Sequence, residues 1–466
     1  MISRRHCRTI VLLFLGPGLF ISCNKSGFLD KKPNSDNVVP TTLDDFQALL
    51  DNPSVMGITP VLGELSADNY QLDYGYWQTL DAKEHNAYAW QNDIYEGQGA
   101  VADWNLPYQQ VFYANVVLDG LSKLKTDSID NDPTWRALKG GALFVRAHAF
   151  YQVAQVFAKA YDSATAGTDM GIPLRLSPEI GSVSIRSTLQ ETYQQILEDL
   201  QMAKGLLPAV IPFDHLNRPS QPAAWALLSR VYLSMRAYGQ AGLYADSCFQ
   251  AYGQLVDYNT LNQGANFPFK ASNPEVIYQA NFLTTPPQIL VGLIYSSVVV
   301  DSALYNSYDT NDLRRKLFYK INSSSNLPNI KGSYNGAFVP FSGLATDEVL
   351  LTRAECRARA GQTNEALSDL NGVLVKRWVT GTFSPVVAAS PAAALDSILV
   401  ARRKELAFRG LRWTDLKRLN KEGANITLTR TLNGVIYTLA PNSDLYVLPI
   451  PPDVLGSTGM LDNPRP

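Results

Sequence analysis

One spacing of large and small apolar residues recurs in three stretches of this chain, and it limits the fold more than any other feature. Trp225, Leu228, Ser229 and Tyr232 share a helical period, and Ala241 follows nine positions after the tyrosine. Leu350, Ala354, Ala366 and Leu370 keep the same register less fully. Leu143, Ala147 and Phe150 fit the first helix of a third pair, whose partner at 188–206 follows a long loop. Residues three and four apart lie on one helical face. Small Ser229 therefore stands where two helices can approach closely. Such a pair cannot bury its apolar face alone, so pairs stack on one another. Ordinary amphipathic helices that share the spacing are the alternative.

The first stretch follows the tetratricopeptide pattern W-x2-L-G-x2-Y, with serine in place of glycine. The predicted fold is mostly α: tetratricopeptide-like helical hairpins forming a short superhelical scaffold, with long irregular insertions and a small β-hairpin near the C-terminus. A Thr/Asp start and Leu43, Phe46, Leu49 and Leu50 predict a helix from residue 42. Residues 57–102 are irregular and aromatic-rich, and helical spacing resumes at Trp104. Further helices are predicted at about 134–161, up to 207 after a loop at 163–186, and at 221–236, 240–256, 346–360, 364–378 and 392–419. Residues 258–343 lack helical periodicity and hold short β-prone runs at 276–279 and 296–300. Near the end, 427–432 and 435–439 flank Asn433-Gly434, a hairpin signal.

At the N-terminus, Arg4, Arg5 and Arg8 precede an apolar run at 10–21 that leads into Ser22-Cys23. The run is short and broken by Gly16-Pro17-Gly18, so it reads as an export signal rather than a membrane span. A cysteine directly behind such a run resembles a bacterial lipoprotein box, in which this thiol is acylated and becomes the mature N-terminus. Phe20 stands where leucine is usual. The alternative is an ordinary secretory signal with an incidental cysteine. Acylation would hold a soluble body at a membrane, at about 0.8 kcal/mol per buried methylene. Residues 24–40 are polar, with Pro33 and Pro40, and read as a tether.

Hydrophobic residues make up 46% of the chain and charged ones 18%, enough apolar surface to fold without crosslinks or metals. A net charge of −2 gives no electrostatic reason to expect nucleic acid or an anionic membrane surface as partner. Behind Cys23 there remain Cys248 and Cys356, too few for a disulfide framework. Both fall in helical patterns and read as small hydrophobes, although a bridge between them stays open. His85, His148 and His215 are far apart in sequence, and no HExxH, GxSxG or phosphate-cradling glycine loop is present. No cofactor and no metal is expected.

Several motifs resemble the SusD/RagB family of Bacteroidetes outer-membrane lipoproteins. Behind Cys23 come Phe28-Leu29-Asp30, Pro33 and Thr41, similar to the family's opening C…FLD…P…T. Trp104, Tyr108, Val111, Ala114 and Asn115 are similar to its W…Y..I..aN helix, and Arg146 and Ala147 to its first long helix. Gly171-Ile172-Pro173-Leu174 resembles its GIPL turn, and residues 223–233 its AAxALLARVYL helix. The most specific likeness runs from Arg402 to Phe408, with Gly410, Arg412, Trp413, Asp415, Leu416 and Arg418, against ERRRELAFEGxRWFDLxR. Leu448-Pro449-Ile450-Pro451 and Asn463-Pro464 resemble the closing LPIP…NP. Ala401 and Arg409 replace its two flanking glutamates, and Leu374 an arginine of its LNxVRxRA run, which weakens individual ion pairs. The resemblance implies a signal peptide at 1–22, a tether at 23–40, a helical region at 41–257 and a C-terminal region at 258–466 in one body with it.

On a continuous helix, Arg402/Glu405 and Arg412/Asp415 are i,i+3 neighbours and Glu405/Arg409 are i,i+4, so they are expected to pair. Exposed pairs of this kind stabilise by about 0.3–0.5 kcal/mol. As an acid/base couple, Glu405 and Asp415 would stand about 15 Å apart along such a helix, too far for paired-carboxylate chemistry.

The resemblance further implies a cell-surface binding lipoprotein, not an enzyme, that captures oligosaccharide and delivers it to a TonB-dependent outer-membrane transporter of the SusC type. A peptide importer of the same family would share every motif, and a surface hydrolase or a repeat-based adaptor are the other classes. Sugar rings stack their C–H faces on Tyr and Trp, while amides and carboxylates bond the hydroxyls. Because the aromatics concentrate in the two irregular insertions, the candidate ligand platform is Tyr74, Tyr76, Trp77 and Trp90 with Tyr295, Tyr305 and Tyr308. Core or transporter-facing roles are the alternative for each. Acidic residues often follow the lipidated cysteine in surface-exposed members; here Asn24-Lys25-Ser26-Gly27 holds none.

Overall fold

Helix starts follow local capping chemistry in a computed structural model that describes residues 40–124, 131–283, 287–295 and 297–466. The signal segment, Cys23 and most of the tether lie outside the described residues. Thr42 and Asp45 form a capping box that opens α1 (Leu43–Leu50). Short helices α2 (Leu62–Ser66), α3 (Tyr74–Trp77) and α4 (Ala82–Tyr88) sit within the first insertion. Five long helices come next: α5 (Ala102–Lys123), α6 (Pro133–Phe157), α7 (Leu189–Leu206), α8 (Gln221–Ser234) and α9 (Tyr238–Ala251). Asp132 caps α6 ahead of Pro133, and a second capping box, Thr188 with Glu191, opens α7. The second insertion carries α10 (Gln288–Tyr295), α11 (Ser302–Asn306) and α12 (Arg314–Leu317). Regular helices then return as α13 (Thr346–Arg359), α14 (Thr363–Leu374), α15 (Pro391–Glu405) and α16 (Arg412–Lys421), with α17 (Pro452–Thr458) near the end.

Consecutive long helices pack on one another, α5 on α6, α6 on α7, α8 on α9 and α13 on α14, and α15 also packs on α13. Helix α9 lies directly against α13, so the stack continues although the whole second insertion separates the two in sequence. The hairpin reading holds at its most specific point. Ser229 Oγ donates to Ala241 O at 2.9 Å, at the close crossing of α8 and α9. Gly242 permits the next contact, since a Cβ there would lie 3.0 Å from Cys356 Cβ on α13. Cys248 and Cys356 are both free and buried. The main apolar core runs from Ile58 to Ile450, and a second cluster lies under α13, α14 and α15.

Two corrections concern the insertions and the charged block. Residues 258–343, read as lacking helical periodicity, nonetheless carry α10, α11 and α12; in α10 the apolar Ile289, Leu290, Leu293 and Ile294 are all buried. The helix predicted at 392–419 is two helices. It breaks between Glu405 and Arg412, where Phe408 (φ 60°) and Gly410 (φ 74°) adopt left-handed backbone. The expected near-neighbour pairs therefore do not form, and the charges are buried rather than exposed. Glu405 instead accepts from Arg377 Nε at 2.7 Å and Arg314 Nη1 at 2.8 Å. Arg412 grips Asp68 at 2.7 and 2.8 Å, and Arg409 reaches Asp347 at 3.0 Å. Asp415 accepts from Arg402 at 2.9 Å and from Arg418 at 2.8 Å, and Arg418 continues to Glu355.

Burial works against ionisation of Asp415, but Arg402 and Arg418 pull its pKa down to about 2. A depressed carboxyl contributes stability that is present above its unfolded value near 4 and lost as pH falls toward 2, here about 2 kcal/mol. The stability gap between the native chain and Asp415→Asn, followed by urea unfolding, should shrink by about that amount between pH 5 and pH 2.

Candidate functional site

The two insertions are sewn together by short strands. Ile58–Thr59 runs parallel to Asn281–Phe282, and Tyr70–Leu72 pairs antiparallel with Val298–Val300. Behind the second pair, Asp301 caps α11 through Leu304 N and accepts from Gln71 Nε2 at 2.8 Å. The C-terminal hairpin packs against this junction. Its strands, Leu428–Leu432 and Val435–Leu439, meet in register around Asn433 (φ 48°) and Gly434 (φ 78°), the backbone a two-residue type I′ turn requires. Along the first strand Leu428, Arg430 and Leu432 point inward, while Thr429 and Thr431 are exposed.

A cleft of about 740 Å³, counting space open to solvent, lies between these elements and is lined by Asp68, Tyr70, Gln71, Tyr88, Trp90, Asp301, Thr429, Arg430 and Thr431. Arg430 organises its floor. The guanidinium lies 3.6 Å from the Tyr88 ring centroid, 4.6 Å from Trp90 and 5.4 Å from Tyr70. Its Nη1 donates to Tyr88 O and its Nη2 to Ala67 O. Trp90 donates from Nε1 to Ser66 O at 2.9 Å and holds φ at 52°, an uncommon backbone for a bulky side chain. At the rim, burial opposes ionisation of Asp68, but Arg412 and Arg403 hold its carboxyl well below the usual carboxylate range.

Arg430 pairs across the hairpin with Tyr437, which places both on one face. Tyr437 in turn lies 6.2 Å from Trp77, and Trp77 lies 5.8 Å from Tyr74. Rings therefore run from Tyr74 through Trp77 to Tyr437, and Arg430, the cross-strand neighbour of Tyr437, joins this row to the Tyr88, Trp90 and Tyr70 floor. Tyr74 and Tyr437 are half-buried.

The structure brings Tyr74, Trp77 and Trp90 of the sequence candidates into this strip and divides the others. Tyr74, Tyr76, Trp77 and Tyr305 stand on short helices rather than on irregular chain. Trp77 is buried, stacked on His85 at 3.6 Å, and Trp90 is buried in the floor. Tyr76 is half-buried and donates to Gln288 O at 2.9 Å, tying α3 to α10. Tyr305 and the buried Tyr308 form a separate group around Tyr319, with centroids at 5.7 and 5.4 Å. Tyr295 ends α10, and its side chain lies outside the described residues. Sequence reasoning missed Arg430 and Tyr437. The signal was an arginine at the inward position of an otherwise alternating hairpin strand, which requires buried acceptors.

Residues 27–233 match a SusD-like family model described as starch-binding, associating with outer membrane, and residues 345–458 match the model of the SusD family. The chain belongs to the SusD family. Solved structures with the same fold include a SusD superfamily protein from Bacteroides thetaiotaomicron, 21% identical with a TM-score of 0.71, covering 91% of this chain and 100% of that one. Another, from Bacteroides vulgatus, is 20% identical with a TM-score of 0.72 and coverages of 91% and 98%. Surface glycan-binding protein A from Bacteroides fluxus is 16% identical, with a TM-score of 0.67 and coverages of 91% and 100%. No curated protein sequence matches the chain. Within this SusD fold, Arg430 fastens the hairpin to the first insertion. Arg430→Met should destabilise the protein by about 3 kcal/mol in urea titrations, because it leaves buried carbonyls unpaired, and should speed amide exchange in the hairpin.

Proposed function

We infer that the chain is a lipid-anchored surface protein that captures oligosaccharide and passes it, chemically unchanged, to a TonB-dependent transporter of the SusC type. The observation that carries this reading is the ring strip from Tyr74 to Trp90 beside a polar cleft, presented on rigid elements by a SusD-family chain. The half-buried rings of Tyr74 and Tyr437 suit the apolar faces of sugar rings, and Gln71, Asp301, Thr429 and Thr431 supply hydroxyl partners along the rim. The glycan-binding relative from Bacteroides fluxus supports the same ligand class. Capture without reaction is supported by the fate of the two carboxylates once weighed as an acid/base couple. Glu405 is held by Arg377 and Arg314, and Asp415 by Arg402 and Arg418. Acylation of Cys23 supplies the anchor in this reading, and among the described residues no helix is long and apolar enough to cross a membrane.

Calorimetry against pooled neutral oligosaccharides and pooled peptides tests the ligand class. Binding is expected in the first pool, and heat from peptides alone would replace this reading with a peptide importer. Tyr74→Ala with Tyr437→Ala should weaken oligosaccharide binding by about tenfold or more, at roughly 1 kcal/mol per ring, with an unchanged circular dichroism spectrum. Mass spectrometry of the mature chain should find Cys23 acylated at the N-terminus.

A further inference from the structure

A second pocket lies where the second insertion meets the turn between α15 and α16, away from the hairpin cleft. It holds about 510 Å³, counting space open to solvent, and its walls are largely aromatic, with Phe269, Phe318, Tyr334 and Phe341 among them. Arg409 lines it and is 4% exposed. The guanidinium lies against two neighbouring rings, 4.1 Å from the Tyr334 centroid and 4.8 Å from that of Phe341. Nη1 donates to Asp347 at 3.0 Å, whereas no protein acceptor reaches Nε or Nη2.

Those two nitrogens form one edge of the guanidinium, the edge that takes a carboxylate through two parallel hydrogen bonds. At four other arginines among the described residues that edge is filled. Arg146 offers it to Asp199, Arg230 to Glu348, Arg314 to Asp312 and Arg353 to Asp369, each through Nε and Nη2 together. Glu405 is the carboxylate that lines this pocket, and both its oxygens are committed to Arg377 and Arg314. Burial works against the Arg409 charge, but Asp347 holds its pKa above the ordinary arginine value, so it stays cationic. Lys331 adds a second positive charge to the same wall, its ammonium donating to Gln263 O. A buried cationic edge with two unmet donors is costly unless something supplies acceptors.

We propose that this pocket binds a small carboxylate borne on a ring, the carboxylate on the Nε/Nη2 edge of Arg409 and the ring among the aromatic walls. A uronic-acid sugar and an aromatic acid share that chemistry. The proposal stands on this pocket alone and does not depend on the hairpin cleft being a glycan site.

Calorimetry on the mature chain with galacturonate, benzoate and galactose tests it. Either acid should bind at least tenfold more tightly than galactose, and which acid binds names the source. Arg409→Lys keeps the charge but loses the two-bond edge, and should weaken acid binding at least tenfold. Arg409→Met with Asp347→Asn removes both charges, so that no buried carboxylate is left alone, and should abolish it. Tyr74→Ala with Tyr437→Ala should leave acid binding unchanged, which separates failure here from failure of the cleft. Equal affinity for acids and galactose, or acid binding that survives in the Arg409→Met/Asp347→Asn chain, overturns the proposal.

Discussion

Arg377 is the residue on which distant parts of this chain converge. Fully buried after α14, it donates to Glu275 in the second insertion and to Glu405 at the end of α15, and a further nitrogen reaches Val256 O behind α9. Arg314 closes the other side by joining Glu405 to Asp312. Each of these charges would be expensive to bury alone, and together they satisfy one another. Apolar contacts tolerate sliding, whereas a guanidinium that must meet two carboxylates at fixed angles does not. The lattice therefore decides where the insertion sits against the helical stack, and the hydrophobic core supplies most of the stabilisation around it.

That placement makes the surface features that matter. The helical hairpins are self-consistent without the insertions, since α9 meets α13 directly. What the insertions add is a set of short strands and helices too small to be stable alone. They become rigid by being tied to one another, through Tyr70–Leu72 with Val298–Val300, and to the C-terminal region, through Asp68 with Arg412 and Arg430 with the carbonyls of α2 and α4. The hairpin cleft and the Arg409 pocket both lie on such seams.

Features that depend on neighbours in sequence were legible in advance. Ser229 at a glycine position marks a helix crossing, Thr42/Asp45 marks a helix start, and Asn433-Gly434 specifies its turn because few other residues adopt that backbone. Features set by distant partners were not. Nothing near Phe408 announces its left-handed backbone, which follows from Gly410 packing on Phe282 and from the ion pairs on either side. The charged block read as near-neighbour pairs because spacing reveals who is adjacent on a helix, not that Asp68 waits for Arg412 across 344 positions. The candidate aromatics show the same boundary. Their concentration in the insertions was visible, but burial of Trp77, Trp90 and Tyr308 and the joining role of Tyr437 came from packing between segments.

The proposed capture and delivery would place opposite demands on a binding surface, and the ring strip suits both. A protein that does no chemistry on its cargo has no reaction step to drive release, so the cargo must leave at the rate binding allows. Two half-buried rings at about 0.5–1.5 kcal/mol each, with hydroxyl contacts exchanged against water at about 1 kcal/mol net, amount to weak binding near the millimolar to micromolar range. In the proposed reading weak sites suffice, because an acyl-anchored body confined beside a transporter would meet it at a high effective concentration without a tight interface. The buried Arg–carboxylate lattice belongs to the same logic. Rigid walls do not have to reorder around cargo, so little binding energy is lost to ordering, and a modest number of contacts is enough.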